Sequence, residues 1–264
     1  MVGIVNVTPD SFSDGGRLLA PADAVAAARR LLDEGAALVD VGGESTRPGA
    51  DAVPVDEELR RVVPVLEGLA GLPVSIDTAR AQVARRAVEL GAELVNDVTA
   101  LRRDPELAGV VAEAGVLLCL MHMQGEPRTM QAAPSYRDVV SEVAAFLEER
   151  LAFAVAAGVA EERICLDPGI GFGKTPDQNL ELLRRLDALV ALGRPVLVGL
   201  SRKSTLGKVL GDPAATRGSD DASVGGAVAA FDRGASIFRV HDVRAHVEAL
   251  AVAAAIERGT VAAA

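Results

Sequence analysis

The sequence predicts a (β/α)8 TIM barrel, an α/β fold of eight parallel strands, built as one single domain over residues 1–264. A short Val/Ile/Leu-rich run followed by a longer segment with helical periodicity occurs eight times along the chain. The short runs are apolar on both faces, which is typical of buried parallel strands. Eight such units fit the roughly 250 residues of a (β/α)8 barrel, and a doubly wound open sheet is the alternative.

In chain order, the strands are predicted over residues 4–7, 38–41, 74–76, 94–95, 116–121, 164–166, 196–200 and 237–240. Helical periodicity is clearest over residues 22–34, 56–69, 81–90, 136–157 and 179–189. Glycines stand where helix C-termini are expected, at Gly35, Gly91, Gly115, Gly158 and Gly193. In a barrel, the loops after the carboxyl ends of the strands carry the functional site. We therefore expect the polar residues that follow the strands to lie together.

Composition narrows the function classes. The net charge of −10 argues against nucleic acid or an anionic membrane as the main partner. Cys119 and Cys165 lie in apolar runs, which indicates buried, reduced thiols rather than catalytic ones. No basic leader opens the chain, and no apolar run approaches the roughly 20 residues of a membrane helix. We expect a cytoplasmic protein.

The loop after the sixth strand, residues 167–174, is the most distinctive stretch. Its three alternating glycines let the backbone approach a flat or anionic ligand closely, while Asp167 offers a carboxylate and Phe172 a ring face. It is not a P-loop, because the glycine required five residues before Gly173 is Pro168. Glycines alone would equally fit an ordinary turn. The acid, the ring and Lys174 in one loop favour a binding site.

Polar residues also end the first four strands. Asn6 precedes a long polar loop over residues 8–16, a kind that often covers a site, and the second strand leads into residues 40–49 with two acids and an arginine. Asp77 and Asn96 directly continue buried runs and are predicted to point into the barrel mouth. Thr78 and Asp97, one residue further, are expected to be helix N-caps instead.

A zinc site at Cys119 and His122 is disfavoured, because residues three apart on a strand face opposite sides and too few thiols and imidazoles are present.

The last two strands are followed by cationic residues. The run from residue 201 to 204, Ser-Arg-Lys-Ser, opens a helix, and helix N-termini bind anions. Arg239 and His241 alternate on one face at the position where barrels usually bind phosphate. A histidine there could be a core residue, but its pairing with arginine favours a ligand.

Five blocks of this sequence, in order, resemble the dihydropteroate synthases: residues 6–16 (NVTPDSFSDGG), 43–49 (GESTRPG), 167–174 (DPGIGFGK), 201–204 (SRKS) and 239–242 (RVHD). The resemblance covers nearly the whole chain. It implies an enzyme of folate biosynthesis that uses Mg²⁺ to join p-aminobenzoate to 6-hydroxymethyl-7,8-dihydropterin pyrophosphate. It also implies a homodimer and a target of sulfonamides, which compete with p-aminobenzoate.

The resemblance further implies residue roles. Asn6 would hold Mg²⁺, and the group that acts in catalysis would be Asn6, Lys203, Arg239 and His241. The pterin would meet Asp77, Asn96, Asp167, Lys203 and Arg239. The p-aminobenzoate would be surrounded by Phe12, Thr46, Arg47, Pro48, Phe172 and Ser204.

Two rival functions remain within the same fold. A pterin-dependent methyltransferase would not need Arg239, His241 or the loop at residues 46–48, and a non-catalytic pterin-binding paralogue would be expected to lack Asn6 or Arg239. All of these residues are present. One run, Ser219-Asp220-Asp221, is more acidic than the resemblance leads us to expect.

Overall fold

Eight parallel strands, β1 to β8, form the centre of the molecule in the computed structural model, which describes residues 1–8, 20–47 and 49–260. They span Val2–Asn6, Leu38–Gly42, Val74–Asp77, Ala92–Asp97, Leu117–Met121, Ile164–Asp167, Leu197–Val198 and Ile237–Val240. Their order is β6-β5-β4-β3-β2-β1-β8-β7. The two ends of this order meet through a parallel bridge between Leu166 and Val196. The sheet is therefore a closed barrel, and the open-sheet alternative is wrong.

Helices alternate with the strands and surround them. Within the described residues, α1 to α10 span Pro21–Asp33, Val55–Gly68, Ala81–Glu89, Leu107–Ala114, Val139–Ala156, Pro176–Arg184, Asp187–Val190, Ser204–Val209, Asp220–Phe231 and Val243–Arg258. The five glycines predicted at helix ends all have positive φ, which a left-handed helix terminus requires. None of these helices has the length and apolar character needed to cross a membrane.

Several element boundaries differ from the prediction, among them those of the seventh strand, the fifth helix and the segment at residues 179–189. The seventh strand stops at Val198, because the chain turns there and the Leu200 carbonyl accepts from the Lys203 N–H at 3.1 Å. The fifth helix starts at Val139 rather than at residue 136, because Asp138 caps it through the Val140 N–H. The helix predicted over residues 179–189 is two helices, α6 and α7, and no glycine or proline marks the break.

The core has two layers. A small cluster of Leu94, Cys119, Cys165 and Leu197, from four different strands, fills the barrel interior. A much larger apolar cluster lies between the strands and the helices. Both cysteines are free thiols and buried, as predicted. The apolar interior closes the lower part of the barrel, so the polar strand ends are left to form a site at its carboxyl end.

Candidate active site

A cavity opens at the carboxyl ends of the strands, where the barrel fold predicts the site. Among the described residues, its lining includes eight of the predicted site residues: Thr46, Asp77, Asn96, Asp167, Phe172, Lys203, Arg239 and His241. They come from six of the eight strand ends and the loops that follow them. The fold thus brings together residues that are up to about 200 positions apart in the chain.

Arg239 lines this cavity and binds Asp40, a fully buried carboxylate of β2 that is not part of the described lining. The Asp40 carboxylate accepts from Ser75 Oγ at 2.6 Å, from Asn96 Nδ2 at 3.0 Å and from Arg239 Nε at 2.6 Å. Arg239 Nη2 also donates to Asp77 Oδ2 at 2.8 Å. Asp40 is one of the two acids that the sequence placed at the end of the second strand, but no role was assigned to it. The available signal was an acid inside the otherwise apolar run at residues 38–41.

Burial controls the protonation of these groups. Burial raises the pKa of Asp77, and the charge of Arg239 opposes that rise. Burial alone would lower the pKa of Arg239, but the carboxylates of Asp40 and Asp77 raise it above its usual value. The guanidinium therefore stays charged and fixed between two strands before any ligand arrives.

Asp167 ends β6 and is 5% exposed. Its Oδ1 accepts from the Gly169 N–H at 2.7 Å, and burial raises the pKa of its carboxyl. Gly169 has φ +66°, and a Cβ there would overlap the carbonyl oxygen of His122. Only glycine fits this turn, so the tight backbone predicted from the alternating glycines is confirmed at this position.

Lys174, which helped to favour a binding site in this loop, faces inward and is 2% exposed. Its Nζ lies 2.9 Å from His122 Nδ1 and donates to the carbonyls of Gly169 at 3.0 Å and Phe172 at 2.9 Å. Burial lowers the pKa of Lys174 to about 7, and burial lowers the pKa of His122 to about 2. Lys174 holds the loop in shape because its ammonium satisfies the carbonyls that the tight turn leaves inside.

Lys203 connects the loops after β6 and β7. Its Nζ donates to the Ile170 carbonyl at 2.6 Å and lies 4.0 Å from the centroid of the Phe172 ring. A cation over a ring face is a favourable contact. Burial lowers the pKa of Lys203 to about 8, although Asp167 opposes the shift. Near neutral pH the cavity therefore contains a cation stacked on an aromatic ring.

His241 is held on one side only. Its Nδ1 lies 3.0 Å from Ser201 Oγ, and its backbone N–H donates to the same hydroxyl at 3.2 Å. Burial, reinforced by the charges of Arg202 and Arg239, lowers the pKa of His241 to about 3. The imidazole is neutral near pH 7. Because Nδ1 is engaged with Ser201, Nε2 is the nitrogen left to meet a ligand.

Asn6 ends β1 opposite Gly42 of β2. A Cβ built on Gly42 would lie 3.5 Å from Asn6 Oδ1 and 3.7 Å from Asp77 Oδ2, so both oxygens flank one point. No group of three or more His, Cys, Asp or Glu in residues 1–8, 20–47 and 49–260 is placed to hold a metal ion. One or two protein oxygens do fit Mg²⁺, which usually keeps several waters and binds substrate phosphates.

The remaining predicted contacts lie around the opening. Thr46 lines the cavity, whereas Arg47 is exposed. Ser204 begins α8, and the described lining contains its neighbours Ser201 and Lys203 rather than Ser204 itself. Phe12 and Pro48 lie outside the described residues. Asp97 accepts from the N–H groups of Thr99 and Leu101 in the turn after β4. The prediction that Thr78 and Asp97 are helix N-caps is wrong, because α3 is capped at Arg80 and α4 at Glu106.

Comparison with known proteins agrees with this geometry. The family model described as pterin binding enzyme matches residues 2–241. The dihydropteroate synthase of Neisseria meningitidis serogroup C is 50% identical over 256 residues, covering 95% of this chain and 90% of the relative. Among solved structures, the Yersinia pestis dihydropteroate synthase with a sulfonamide drug has a TM-score of 0.90 at 44% identity, covering 97% and 94% of the two chains. The Xanthomonas albilineans dihydropteroate synthase in complex with 7,8-dihydropteroate has a TM-score of 0.84 at 46% identity, covering 97% and 92%. The chain belongs to the pterin-binding enzymes, within their dihydropteroate synthases.

Proposed function

We propose that this barrel condenses p-aminobenzoate with 6-hydroxymethyl-7,8-dihydropterin pyrophosphate, giving 7,8-dihydropteroate and pyrophosphate for folate biosynthesis. One observation carries the proposal: groups for a pterin and groups for a pyrophosphate line the same cavity. Asp77, Asn96, Asp167 and Lys203 suit the pterin, and Arg239 and His241 suit the pyrophosphate. A relative of similar fold binds 7,8-dihydropteroate, the product of this reaction.

The strand ends would hold the pterin. A carboxylate can accept two N–H groups from an aminopyrimidine edge, and hydrogen bonds to charged groups contribute roughly 1.5–3 kcal/mol each. Asp167 suits this role because its Oδ1 bonds to Gly169 N–H, which fixes the carboxylate without consuming all of its acceptor sites. Lys203 and Asn96 would contact the pterin ring. Both side chains are held in place by hydrogen bonds, Lys203 to the Ile170 carbonyl and Asn96 to the Asp40 carboxylate.

The pyrophosphate would lie against Arg239 and His241. In the reaction, the C–O bond to pyrophosphate breaks, the amine of p-aminobenzoate forms the new C–N bond, and that nitrogen loses one proton. No protein nucleophile is needed, so the chain contributes positioning and stabilisation of the departing anion. Mg²⁺, which we place at Asn6, would neutralise charge on the leaving group. Neutral His241 would donate from Nε2.

The p-aminobenzoate would enter above the pterin, between Phe172 and the residues of the second loop. Within the described residues, the candidate contacts are Thr46, Arg47 and Ser204. The sequence also proposes Phe12 and Pro48, which lie outside the described residues. Arg47 would meet the carboxylate of p-aminobenzoate, because a guanidinium binds such a group through two parallel bonds. Since a relative was solved with a sulfonamide drug, we extend sulfonamide binding to this pocket. A cytoplasmic homodimer remains our prediction.

The test is release of pyrophosphate from the pterin substrate, measured with and without p-aminobenzoate. We expect release that depends on p-aminobenzoate and on Mg²⁺, with one dihydropteroate formed per pyrophosphate. Binding of the pterin without turnover would instead identify a non-catalytic paralogue. The variant Asn6→Ala tests the metal site: it should lower turnover and raise the Mg²⁺ concentration that turnover requires. An unchanged requirement for Mg²⁺ would remove Asn6 from the metal site.

A further inference from the structure

The backbone of Arg202 is unusual, because it has φ +60°. For a residue with a side chain, this left-handed conformation costs roughly 1–2 kcal/mol. Arg202 lies between Ser201 and Lys203, which both line the cavity. Ser201 fixes His241, and Lys203 contacts Ile170 and Phe172. The unfavourable backbone conformation therefore lies between the two residues whose side chains the chain presents to the site.

The start of α9 holds this backbone in place. Asp220 accepts from Arg202 Nε at 2.5 Å and from Nη2 at 3.1 Å. Ser223 Oγ accepts from the Arg202 N–H at 2.9 Å and donates to the Ser219 carbonyl at 2.7 Å. The Arg202 carbonyl accepts from Gly218 N–H at 3.3 Å. Side chain, N–H and carbonyl of Arg202 are all bonded to residues 218–223.

We propose that Asp220 is a positioning residue for the reaction: it holds the left-handed backbone of Arg202 and thereby sets the orientation of Ser201 and Lys203. This inference rests on the proposed function. It also accounts for the acidic run at residues 219–221. Ser219 caps α9 through the Ala222 N–H, Asp220 holds Arg202, and Asp221 is exposed on the first turn.

The contact is suited to orientation rather than to global stability. The side chains of Arg202 and Asp220 are 30% and 40% exposed, and ion pairs of this exposure contribute little to folding. Its two parallel bonds do fix the angle of the guanidinium and of the backbone behind it. Loss of Asp220 should therefore affect the site more than the fold.

The experiment compares Asp220→Ala with Asp221→Ala. Each variant removes one negative charge from the first turn of α9, but only Asp220 contacts Arg202. For Asp220→Ala we expect kcat/KM for the pterin pyrophosphate to fall about tenfold, because small displacements of a positioning group are costly. Asp221→Ala should remain within about twofold of the unmodified protein. Equal effects of the two variants would overturn the proposal.

A rescue separates positioning from a general structural role. Glycine adopts the left-handed conformation without the Cβ penalty, so in an Arg202→Gly background the contact with Asp220 is no longer needed. Adding Asp220→Ala to Arg202→Gly should then change kcat/KM by less than about twofold. A further loss of about tenfold in that background would show that Asp220 acts by some other route.

Hydrogen exchange gives a readout that does not require turnover. Amides of residues 201–204 should exchange faster in Asp220→Ala than in Asp221→Ala, while amides of the barrel strands stay unchanged. Equal exchange in both variants would contradict the proposed contact. If the unmodified protein releases no pyrophosphate, the proposed function fails, and exchange still decides whether Asp220 holds this turn.

Discussion

The strand ends and the second loop form two parts of the same cavity with opposite physical character. We call Asp40, Asp77, Asn96 and Arg239 the floor, and residues 44–47 the rim. The floor residues come from four strands and bond to one another, and Asp40, Asp77 and Asn96 are each less than a tenth exposed. In the rim, Thr46 is half-buried and Arg47 is exposed.

The rim is held at its base. Glu44 forms an ion pair with Arg103 at 2.9 Å, and Arg61 donates to the Gly43 carbonyl at 2.9 Å. Beyond that base, Ala50 N–H bonds back to the Arg47 carbonyl and Gly49 N–H bonds to the Pro127 carbonyl. The floor is therefore held by buried side-chain bonds between strands, whereas the rim is held mainly at its base and is more exposed. We propose that the floor meets the pterin preorganised, and that the rim takes its final shape on the p-aminobenzoate side when a ligand binds.

The largest expected effect is on the floor. Asp40→Asn should lower the free energy of unfolding by about 3–5 kcal/mol, because it removes the charge that pairs with Arg239 in a buried site. Denaturant unfolding measures this loss. The matched control is Glu57→Gln, which removes an acid paired with Arg60 and Arg61 on the surface. Its effect should be much smaller. Comparable losses would mean that the floor is not a stabilising network.

The next effect concerns the order in which ligands bind. Ordering a loop costs on the order of 1 kcal/mol per residue in backbone entropy, and a small benzoate offers too few contacts to offset it. Pyrophosphate with Mg²⁺, which we place at Asn6, Arg239 and His241, would fill the cavity that Thr46 also lines and would order the rim first. We expect p-aminobenzoate to bind at least about 100-fold more tightly once the pterin site and the pyrophosphate site are filled.

Equilibrium binding of labelled p-aminobenzoate measures this difference. The control is the protein with pterin but without pyrophosphate and Mg²⁺, which should bind p-aminobenzoate as weakly as the unliganded protein. Micromolar affinity without any other ligand, about −8 kcal/mol, would show that the rim is already ordered.

A third test separates two acids at neighbouring positions of the barrel mouth. Asp167→Asn should weaken pterin binding by about 1.5–3 kcal/mol, the cost of losing charge-assisted hydrogen bonds. Asp97→Asn is the control, because Asp97 caps the turn after β4 and does not line the described cavity. Titration calorimetry measures the affinities, and melting curves check that both variants are folded. Equal losses of pterin affinity in the two variants would contradict the placement of Asp167 in the pterin site.

The sequence predicted the fold and the place of the site because both depend on short-range patterns. Eight apolar runs mark buried strands, and the polar residue after each run reaches the mouth by the geometry of a parallel barrel. The direction of a side chain in a loop is a different matter. Lys174 follows three glycines in the binding loop but turns inward, because unpaired carbonyls of that loop lie beneath it.

The role of Asp40 was not predicted for a second physical reason. The acid itself stands out in an apolar run, but its partner Arg239 is 199 residues away in the chain and reaches it only when the barrel closes. Local patterning does not reveal such a pairing. The role of Asp220 was likewise invisible, because the positive φ of Arg202 that it supports is set by tertiary contacts rather than by the residue type.

The smallest expected effect concerns Ser201 and Ser204, which should influence the KM values of different substrates. Ser201 contacts His241 and lies on the side of the floor, whereas Ser204 begins α8 outside the described lining. A hydroxyl hydrogen bond contributes about 0.5–1.5 kcal/mol, or roughly two- to tenfold in a binding constant. Ser204→Ala should therefore raise the KM for p-aminobenzoate by that factor and leave the KM for the pterin pyrophosphate unchanged.

Ser201→Ala should instead raise the KM for the pterin pyrophosphate and leave that for p-aminobenzoate unchanged, since it frees His241 from its fixed orientation. Steady-state kinetics with each substrate varied in turn measures both values. Equal changes in the two KM values for Ser204→Ala would place that hydroxyl outside the p-aminobenzoate pocket, which would then consist of the rim and Phe172 without α8.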